Sequence, residues 1–300
     1  MMKFWNSLFV LSLCAFLLAN PTKANDWDAI YKIYKNAQSN GIYVEPGLSE
    51  FKKAETLFSL LFKGVEISSL QPILHDLHLK LIKMTVNQKD FQILFEAESY
   101  KRGRGFYIFS QKKHAKNALQ MPHSKKDLYT GVIGLSMFIE GNFVAAAWNS
   151  VPRYYSYGNK TVLADLADFS KSYFIAFSNA FARSHNEEFI IQLHGFSTKK
   201  RKTQIGEKSS FIISSGTMNQ NHRLSQLDRC LEKRFSVISS IYPFEINELG
   251  GTKNEIGIAL RKMGHAGFLH IEISKTMRNN LRLQKSMRKM LLTCIEDMNL

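Results

Sequence analysis

The sequence predicts an α/β fold, a three-layer sandwich with a mostly parallel sheet and a helical lead-in at its N-terminal side. From Phe91 onward, strand-like apolar runs alternate with helix-like segments, a pattern typical of a parallel sheet covered on both faces. Hydrophobic residues make up 45% of the 300 residues and charged residues 22%, which is ordinary globular composition. The sequence shows no repeat of solenoid period. We therefore expect one main folded domain over residues 91–300.

Residues 1–24 have the pattern of a secretory signal peptide. Lys3 precedes an apolar run from Ser7 to Ala19, and a Thr-x-Ala sequence ends at Ala24. The apolar run is too short for a comfortable membrane span. We expect cleavage after Ala24, a mature chain without a membrane span, and a periplasmic or secreted protein.

Residues 25–90 are expected to form a helical lead-in that packs on the main domain. The stretch "DWDAIYKIYKNAQ" opens with Asp26 as a helix cap, and "LSEFKKAETLFSLLFKG" ends in Gly64. In the main domain, apolar runs on either side of "KRGR" predict a hairpin. The stretch "YTGVIGLSMFIEG" predicts a helix that ends at Gly141.

The formal charge of +15 indicates a basic surface that attracts polyanions. Two of the positive charges, Lys3 and Lys23, lie in the signal segment. A nucleic-acid binder would be expected to interleave aromatic residues with its cations on one sheet face. Only "RGRGFYIF" does so, and it is more simply an edge strand. We expect no specific nucleic-acid partner.

The cysteines limit the metal chemistry. Cys14 belongs to the signal segment, which leaves Cys230 and Cys294 in helix-like segments of the mature chain. In an oxidising compartment these two residues either form one disulfide or stay free. They are too few for a thiolate zinc site, so any metal must bind to histidine and carboxylate groups.

Reactive side chains follow or end three separate predicted strands. The stretch "LQMPHS" carries His123 after its strand, "IIQLHG" carries His194, and "FLHIEIS" carries Glu272 near its end. In open α/β sheets, ligands bind beyond the carboxyl ends of the strands. We therefore expect these side chains to meet at one edge of the sheet. His270 shares the face of Glu272 and is interpreted as its neighbour rather than as a ligand.

Zinc suits this set, because a catalytic zinc takes three protein ligands and leaves one position for water. His123 and His194 supply two nitrogens. Asp127, four residues after His123, either supplies the third ligand atom or accepts a hydrogen bond from His123. Glu272 is then expected to take the proton of the attacking water.

The chain from about Ala118 to its C-terminus resembles the N-formylglutamate amidohydrolase family. The resemblance is carried by "PHS" after a strand, "NSVPRYY…ADLAD", "IIQLHGF" and "HIEIS…MR", of which "HGF" and "HIEIS" are the most specific. The family belongs to the phosphorylase/hydrolase-like zinc fold that metallocarboxypeptidases share. The resemblance implies a zinc amidohydrolase in which His123, Asp127 and His194 bind the metal and Glu272 is the base. It also matches Ser150 to Arg153 and Asp165 to a family motif.

One departure concerns the substrate. The acidic-asparagine-arginine run of the family is here "ADLADF", which has no arginine. The substrate of the family is therefore not carried over. Arg153 either clamps a substrate carboxylate or pairs with Asp165, and Arg278 is a second candidate for carboxylate binding.

These observations predict an exported zinc-dependent hydrolase. We expect it to cleave an amide bond in a small peptide, an N-acyl amino acid or a peptidoglycan-type substrate, including substrates derived from the cell wall. The alternative is a non-catalytic binding protein of the same fold that holds an anionic envelope polymer. A binding protein has no need of a carboxylate such as Glu272 beside the metal.

Overall fold

The structure is a computed structural model that describes residues 26–38, 42–112, 114–157, 159–219 and 222–298. The signal peptide expected over residues 1–24 lies outside this part of the chain. Within it, ten α-helices are described: α1 Asp26–Ala37, α2 Leu48–Phe62, α3 Ile67–Asp76, α4 Thr130–Glu140, α5 Tyr173–Ser184, α6 Gln204–Lys208, α7 His222–Phe235, α8 Glu255–Lys262, α9 Lys275–Leu283 and α10 Lys285–Asp297. None of them is long and apolar enough to cross a membrane.

The strands form one large sheet and one small hairpin. The described strands are β1 Leu79–Val86, β2 Lys89–Glu96, β3 Phe106–Ser110, β4 Ala118–Met121, β5 Ala145–Trp148, β6 Tyr154–Tyr157, β7 Lys160–Leu163, β8 Ile190–Phe196, β9 Phe211–Ser214, β10 Ser239–Ile241 and β11 Phe268–Ser274. In this part of the chain, nine strands pair in the order β1-β2-β3-β5-β4-β8-β11-β9-β10, and β6 pairs with β7.

The centre of the sheet is parallel and carries the strand ends at which the sequence places His123, His194 and Glu272. The strands β5, β4, β8 and β11 run parallel to one another. The strands β1 to β3 join them through antiparallel pairs, and β9 is antiparallel to β11. The expected α/β class is confirmed, as a mixed nine-stranded sheet with helices on both faces and helices before it.

The N-terminal segment is helical only in part. The three helices α1 to α3 precede the sheet, as expected, but the residues that follow form β1 instead of more helix. The sequence of β1, "LKLIKMTV", alternates in its exposure to solvent, with both ends buried. It pairs with β2 along its whole length, and its apolar side chains complete the edge of the core.

The two faces of the sheet are covered by different helices. Helices α1, α4, α7, α9 and α10 pack on one face against residues such as Ile191, Leu193 and Ile271. Helices α2, α3, α5 and α8 pack on the other face, against Ala118, Ile190 and Phe268 among others. Since side chains alternate along a strand, Gln192 and His194 follow Ile190 on this second face.

A disulfide joins two helices of the first face. Cys230 of α7 and Cys294 of α10 are bonded, which settles the pairing that the sequence leaves open. The bond spans 64 residues and therefore constrains the unfolded chain strongly.

We expect the double variant Cys230→Ser/Cys294→Ala, made in the chain without residues 1–24, to lose roughly 4 kcal/mol of unfolding free energy, the value for a loop of this length. Denaturant unfolding with and without reductant measures this loss. Wild type should respond to reductant and the double variant should not. A wild-type protein that is indifferent to reductant, or that shows free thiols when denatured, would contradict the disulfide.

Candidate metal centre

The first half of the site is a single turn after β4. Two residues past the strand, His123 begins a turn in which the backbone N–H of Asp127 donates to the carbonyl of His123 at 2.8 Å. Asn149, which follows β5, donates from Nδ2 to the carbonyl of Pro122 at 2.9 Å and ties the turn to the neighbouring strand. The turn places the carboxylate of Asp127 beside the imidazole of His123, as expected from the four-residue spacing.

The second half of the site is the pair of parallel strands β8 and β11. His194 on β8 is the direct partner of Glu272 on β11, so both side chains leave the same face of the sheet. The backbone N–H of Gly195 donates to Oδ2 of Asp127 at 3.0 Å, which connects this half to the turn. The structure therefore brings His123, Asp127, His194 and Glu272 to one place.

Three donor atoms converge at the centre of the site. The Nδ1 atoms of His123 and His194 are 3.2 Å apart, and Oδ2 of Asp127 lies 3.4 Å from the first and 3.7 Å from the second. Four ligands placed tetrahedrally at zinc bond lengths of roughly 2.0–2.1 Å are about 3.3–3.4 Å from one another. These side chains can therefore hold a metal ion with little rearrangement.

The other ring nitrogen of each histidine is already bonded. Nε2 of His123 lies 2.7 Å from Oδ1 of Asp165, and Nε2 of His194 lies 3.1 Å from Oε1 of Gln192. Both partners are acceptors, so each Nε2 carries a proton and each Nδ1 has a lone pair to offer in the neutral ring. Oxygen partners of this kind orient metal-binding histidines in many proteins.

The two aspartates bias the protonation of this cluster. Burial alone would lower the pKa of His123, but hydrogen bonds with Asp127 and Asp165 outweigh it and raise the pKa to about 9. Burial would raise the pKa of Asp127, but its contacts with His123 and His194 hold that pKa well below its ordinary value. Burial lowers the pKa of His194 and keeps its ring neutral. Without metal, a proton on His123 occupies the space between the three donor atoms.

Glu272 is a buried carboxyl group close to these ligands. Burial and the negative charge of Asp127 raise the pKa of Glu272 to about 8. Its Oε2 atom has no hydrogen-bond partner among the described residues, and Oε1 is 3.9 Å from Nε2 of His270. A carboxyl group with this pKa holds and releases protons near neutral pH, as an acid–base group must.

A second group of potential ligands consists of His194, His270 and Glu272. The imidazoles of His194 and His270 are in contact, with ring centroids 4.3 Å apart. His194 has only one nitrogen to offer, because Nε2 is engaged with Gln192. The two groups are therefore alternatives, and the first keeps Glu272 available for proton transfer.

The two arginines predicted to bind substrate lie at the site and have protein partners. Arg153 pairs with Oδ2 of Asp165 at 2.5 Å, while Oδ1 of Asp165 contacts His123. The ion pair that the sequence offers as an alternative for Arg153 is therefore present. Arg278 is buried and donates to the carbonyls of Leu128, Phe196 and Ile273. It fastens the turn to the ends of β8 and β11, and carboxylate binding by either arginine stays a prediction.

The packing of Arg278 explains the glycine of "HGF". A Cβ atom on Gly195 would lie only 2.4 Å from Cζ of Arg278 and 2.8 Å from its Nε. Neither the guanidinium, which is bonded to three carbonyls, nor the strand can move aside easily. Gly195 is needed so that the arginine can cross over the strand next to His194.

The site opens into a cleft of about 610 Å³ with a cationic rim. All six residues singled out from the sequence line this cleft: His123, Asp127, Arg153, His194, Glu272 and Arg278. Four exposed lysines from separate segments surround it: Lys126, Lys200, Lys253 and Lys275. Such a rim attracts anionic molecules to the cleft.

No protein-family model and no curated protein matches this sequence. Several solved structures are similar to it, among them the following two. Gene product Atu2144 from Agrobacterium tumefaciens is 12% identical, with a TM-score of 0.42 over 62% of this chain and 89% of that chain. A bacteriophage poly-gamma-glutamate hydrolase is 10% identical, with a TM-score of 0.36 over 67% of this chain and 89% of that chain. The functional argument rests on the geometry of the site and not on these likenesses.

The sequence analysis names Asp165, the partner of His123, but misses Gln192, which supports His194. Gln192 lies two residues before His194 on the same sheet face, fully buried in an otherwise apolar strand. A buried glutamine in such a strand needs a partner, and this was the available signal. The four lysines of the rim gave no comparable signal, because each follows a different element.

We expect wild-type protein to bind about one zinc ion per chain, and His194→Ala and Asp127→Asn each to lose most of it because two remaining ligands bind weakly. Asp165→Asn should weaken binding only 10- to 100-fold, since Asp165 orients His123 without being a ligand. Metal analysis and competition with a chelating dye measure both effects.

His222→Ala is the control, because His222 is exposed and belongs to neither ligand group. Full zinc content in His194→Ala would remove His194 from the site. Equal losses in Asp127→Asn and Asp165→Asn would make Asp127 a supporting residue.

Zinc affinity should rise with pH, because metal binding must displace the proton of His123. His123 is protonated below its pKa of about 9, so affinity should increase about tenfold per pH unit from pH 6.5 and level off near pH 9. Chelator competition at several pH values gives the slope. Asp165→Asn should level off at a lower pH, and an affinity independent of pH between 6.5 and 8.5 would contradict this assignment.

Proposed function

We propose that this protein is an exported, zinc-dependent hydrolase that cleaves an amide bond in an anionic small molecule. The observation that carries the proposal is the convergence of three ligand atoms beside a buried carboxyl group with a raised pKa. A metal bound there would polarise a carbonyl group and lower the pKa of a water molecule. The set of two imidazoles and one carboxylate is typical of catalytic zinc.

The residues of this chain have separate tasks in the reaction. His123, Asp127 and His194 would hold the metal, and Glu272 would accept a proton from the attacking water. Glu272 then returns that proton to the nitrogen that leaves when the amide bond breaks. The negative charge of Asp127 contributes to the raised pKa of Glu272. Positive charge bound beside Glu272 would lower this pKa towards the range in which one carboxyl group can both accept the proton of water and return it to the leaving nitrogen.

The proposed substrate is a small peptide, an N-acyl amino acid or a peptidoglycan-type fragment with at least one carboxylate. Support for the negative charge comes from the four rim lysines, none of which has a carboxylate partner among the described ion pairs. Support for an amide bond comes from the resemblance carried by "PHS", "HGF" and "HIEIS". Arg153 is in reach of a carboxylate if it exchanges its partner Asp165.

Export is proposed from two features. The N-terminal segment has the pattern of a signal peptide, and Cys230 and Cys294 form a disulfide. Disulfides form and persist in oxidising compartments such as the periplasm or the extracellular space. A periplasmic or secreted location fits both.

The second candidate is a non-catalytic protein that holds an anionic envelope polymer. The cationic rim supports it, because attraction of a polyanion requires no chemistry. A binding protein, however, has no role for Glu272, whose burial beside the ligands costs free energy.

We expect Glu272→Gln to retain zinc and fold but to lose turnover on the order of 10²- to 10⁴-fold, because the amide cannot accept a proton. KM should change much less, since the loss is confined to the transition state. The assay is hydrolysis of N-acyl amino acids, γ-glutamyl peptides and muropeptides, with zinc content measured in parallel.

Glu207→Gln is the matched control, because Glu207 is an exposed carboxylate on α6. Undiminished turnover in zinc-loaded Glu272→Gln would exclude Glu272 as the base. Failure of wild type on every amide, together with tight binding of an anionic polymer, would favour the binding protein.

A further inference from the structure

A row of buried amides leads away from the metal centre into the core. Oε1 of Gln192 accepts from Nε2 of His194 at 3.1 Å, and Nε2 of Gln192 donates to Oε1 of Gln120 at 2.8 Å. Gln120 donates to the hydroxyl of Ser178 at 2.9 Å, and Ser178 donates to the carbonyl of Phe174 at 2.7 Å. Gln120, Gln192 and Ser178 are fully buried.

The carbonyl of Phe174, at the end of the row far from the metal centre, determines which group donates and which accepts in each hydrogen bond. The carbonyl of Phe174 is only an acceptor, so the hydroxyl of Ser178 spends its single hydrogen there. Ser178 must then accept from the amide nitrogen of Gln120, which turns the oxygen of Gln120 towards Gln192. The nitrogen of Gln192 faces that oxygen, and its own oxygen faces His194.

A second helix imposes the same direction independently. Asn254 caps α8, and its Oδ1 accepts from the backbone N–H groups of Ile256 at 3.1 Å and Gly257 at 3.5 Å. Its Nδ2 therefore remains as the donor, and it lies 2.8 Å from Oε1 of Gln192. The constraint from Ser178 and the constraint from Asn254 therefore both require Gln192 to present its oxygen to His194.

His194 has a competing proton acceptor on its other side. Oδ2 of Asp127 lies 3.7 Å from Nδ1 of His194 and attracts a proton to that nitrogen. A proton on Nδ1 would leave no lone pair for a metal. Once His123 has given up the proton that faces this nitrogen across 3.2 Å, the acceptor on the Nε2 side decides which nitrogen of His194 stays free.

We propose that Gln192 is a positioning residue that keeps the proton of His194 on Nε2 and so leaves Nδ1 for the metal. Its orientation is imposed by α5, through Ser178 and Gln120, and by α8, through Asn254. The consequence for metal binding rests on the proposed metal centre, whereas the proton position is a property of the metal-free chain.

The direct test is nitrogen NMR of the histidine rings in the metal-free protein, combined with zinc affinity. In wild type, neutral His194 should carry its proton on Nε2. In Gln192→Met, which has similar length and no oxygen, the proton should move to Nδ1 and face Asp127. Zinc binding by this variant should weaken 10- to 100-fold, the usual effect of losing an orienting partner.

Gln192→Glu is the rescue variant, because it retains an oxygen towards His194. Gln120 then turns to donate to the new carboxylate, and the hydroxyl of Ser178 turns from the carbonyl of Phe174 to donate to the oxygen of Gln120. It should keep the proton on Nε2 and a zinc affinity close to that of wild type. The double variant Ser178→Ala/Asn254→Ser removes both anchors and keeps a capping hydroxyl for α8. It should yield a mixture of the two proton positions although it changes no residue in contact with His194.

Ser184→Ala is the matched control, since its hydroxyl makes the same bond to the carbonyl four residues earlier in α5 and touches none of these groups. A wild-type proton on Nδ1, or an unchanged proton position in Gln192→Met, would overturn the inference. A wild-type protein with the proton on Nε2 and no zinc affinity would refute the proposed function while the role of Gln192 in placing the proton stands.

Discussion

The parallel register of β8 and β11 is the constraint on which the site depends. It sets His194 opposite Glu272 and Gln192 opposite His270. Side chains alternate along a strand, so a slip of one residue would turn the imidazole and the carboxyl group into the apolar layer on the other face. The intervening residues of both strands fill that layer and therefore fix the register. The hydrophobic core thus holds the residues of the candidate site in line.

The polar face of β8 is stable because each of its polar side chains on the way to the cleft is paired. Ile190 packs among apolar side chains, Gln192 bonds to amides of a strand and a helix cap, and His194 reaches the ligand cluster. A buried polar group without a partner costs free energy, so the helix ends that cover this face must supply hydrogen-bonding groups. At the strand ends, Arg278 supplies such hydrogen-bonding groups by donating to three carbonyls.

The sequence predicts the alternation of strands and helices and the strand ends that carry His123, His194 and Glu272. It also anticipates the turn of Asp127 towards His123, because a four-residue spacing is local. The hairpin predicted around "KRGR" is confirmed as the antiparallel pair β2–β3. The sequence does not predict that β1 joins this hairpin or that the hairpin extends the main sheet through β5, since neighbour order follows from packing. The sequence favours a helix for residues 79–86, because the spacing of their apolar residues fits the period of a helix as well as that of a strand. The partner of Gln192 lies 72 residues away, a distance that no local pattern reports.

The same geometry explains how the ligand cluster is tolerated without metal. Two lone pairs facing each other at 3.2 Å would repel, and Asp127 adds a buried negative charge beside them. A proton on His123 removes the repulsion and neutralises that charge, which is why the pKa of His123 is raised to about 9 although burial opposes it. A bound metal ion would have the same two effects as this proton, because its positive charge would remove the repulsion between the lone pairs and neutralise Asp127. Because Gln192 and Asp165 hold the rings in place for both, the cluster can exchange one for the other without refolding.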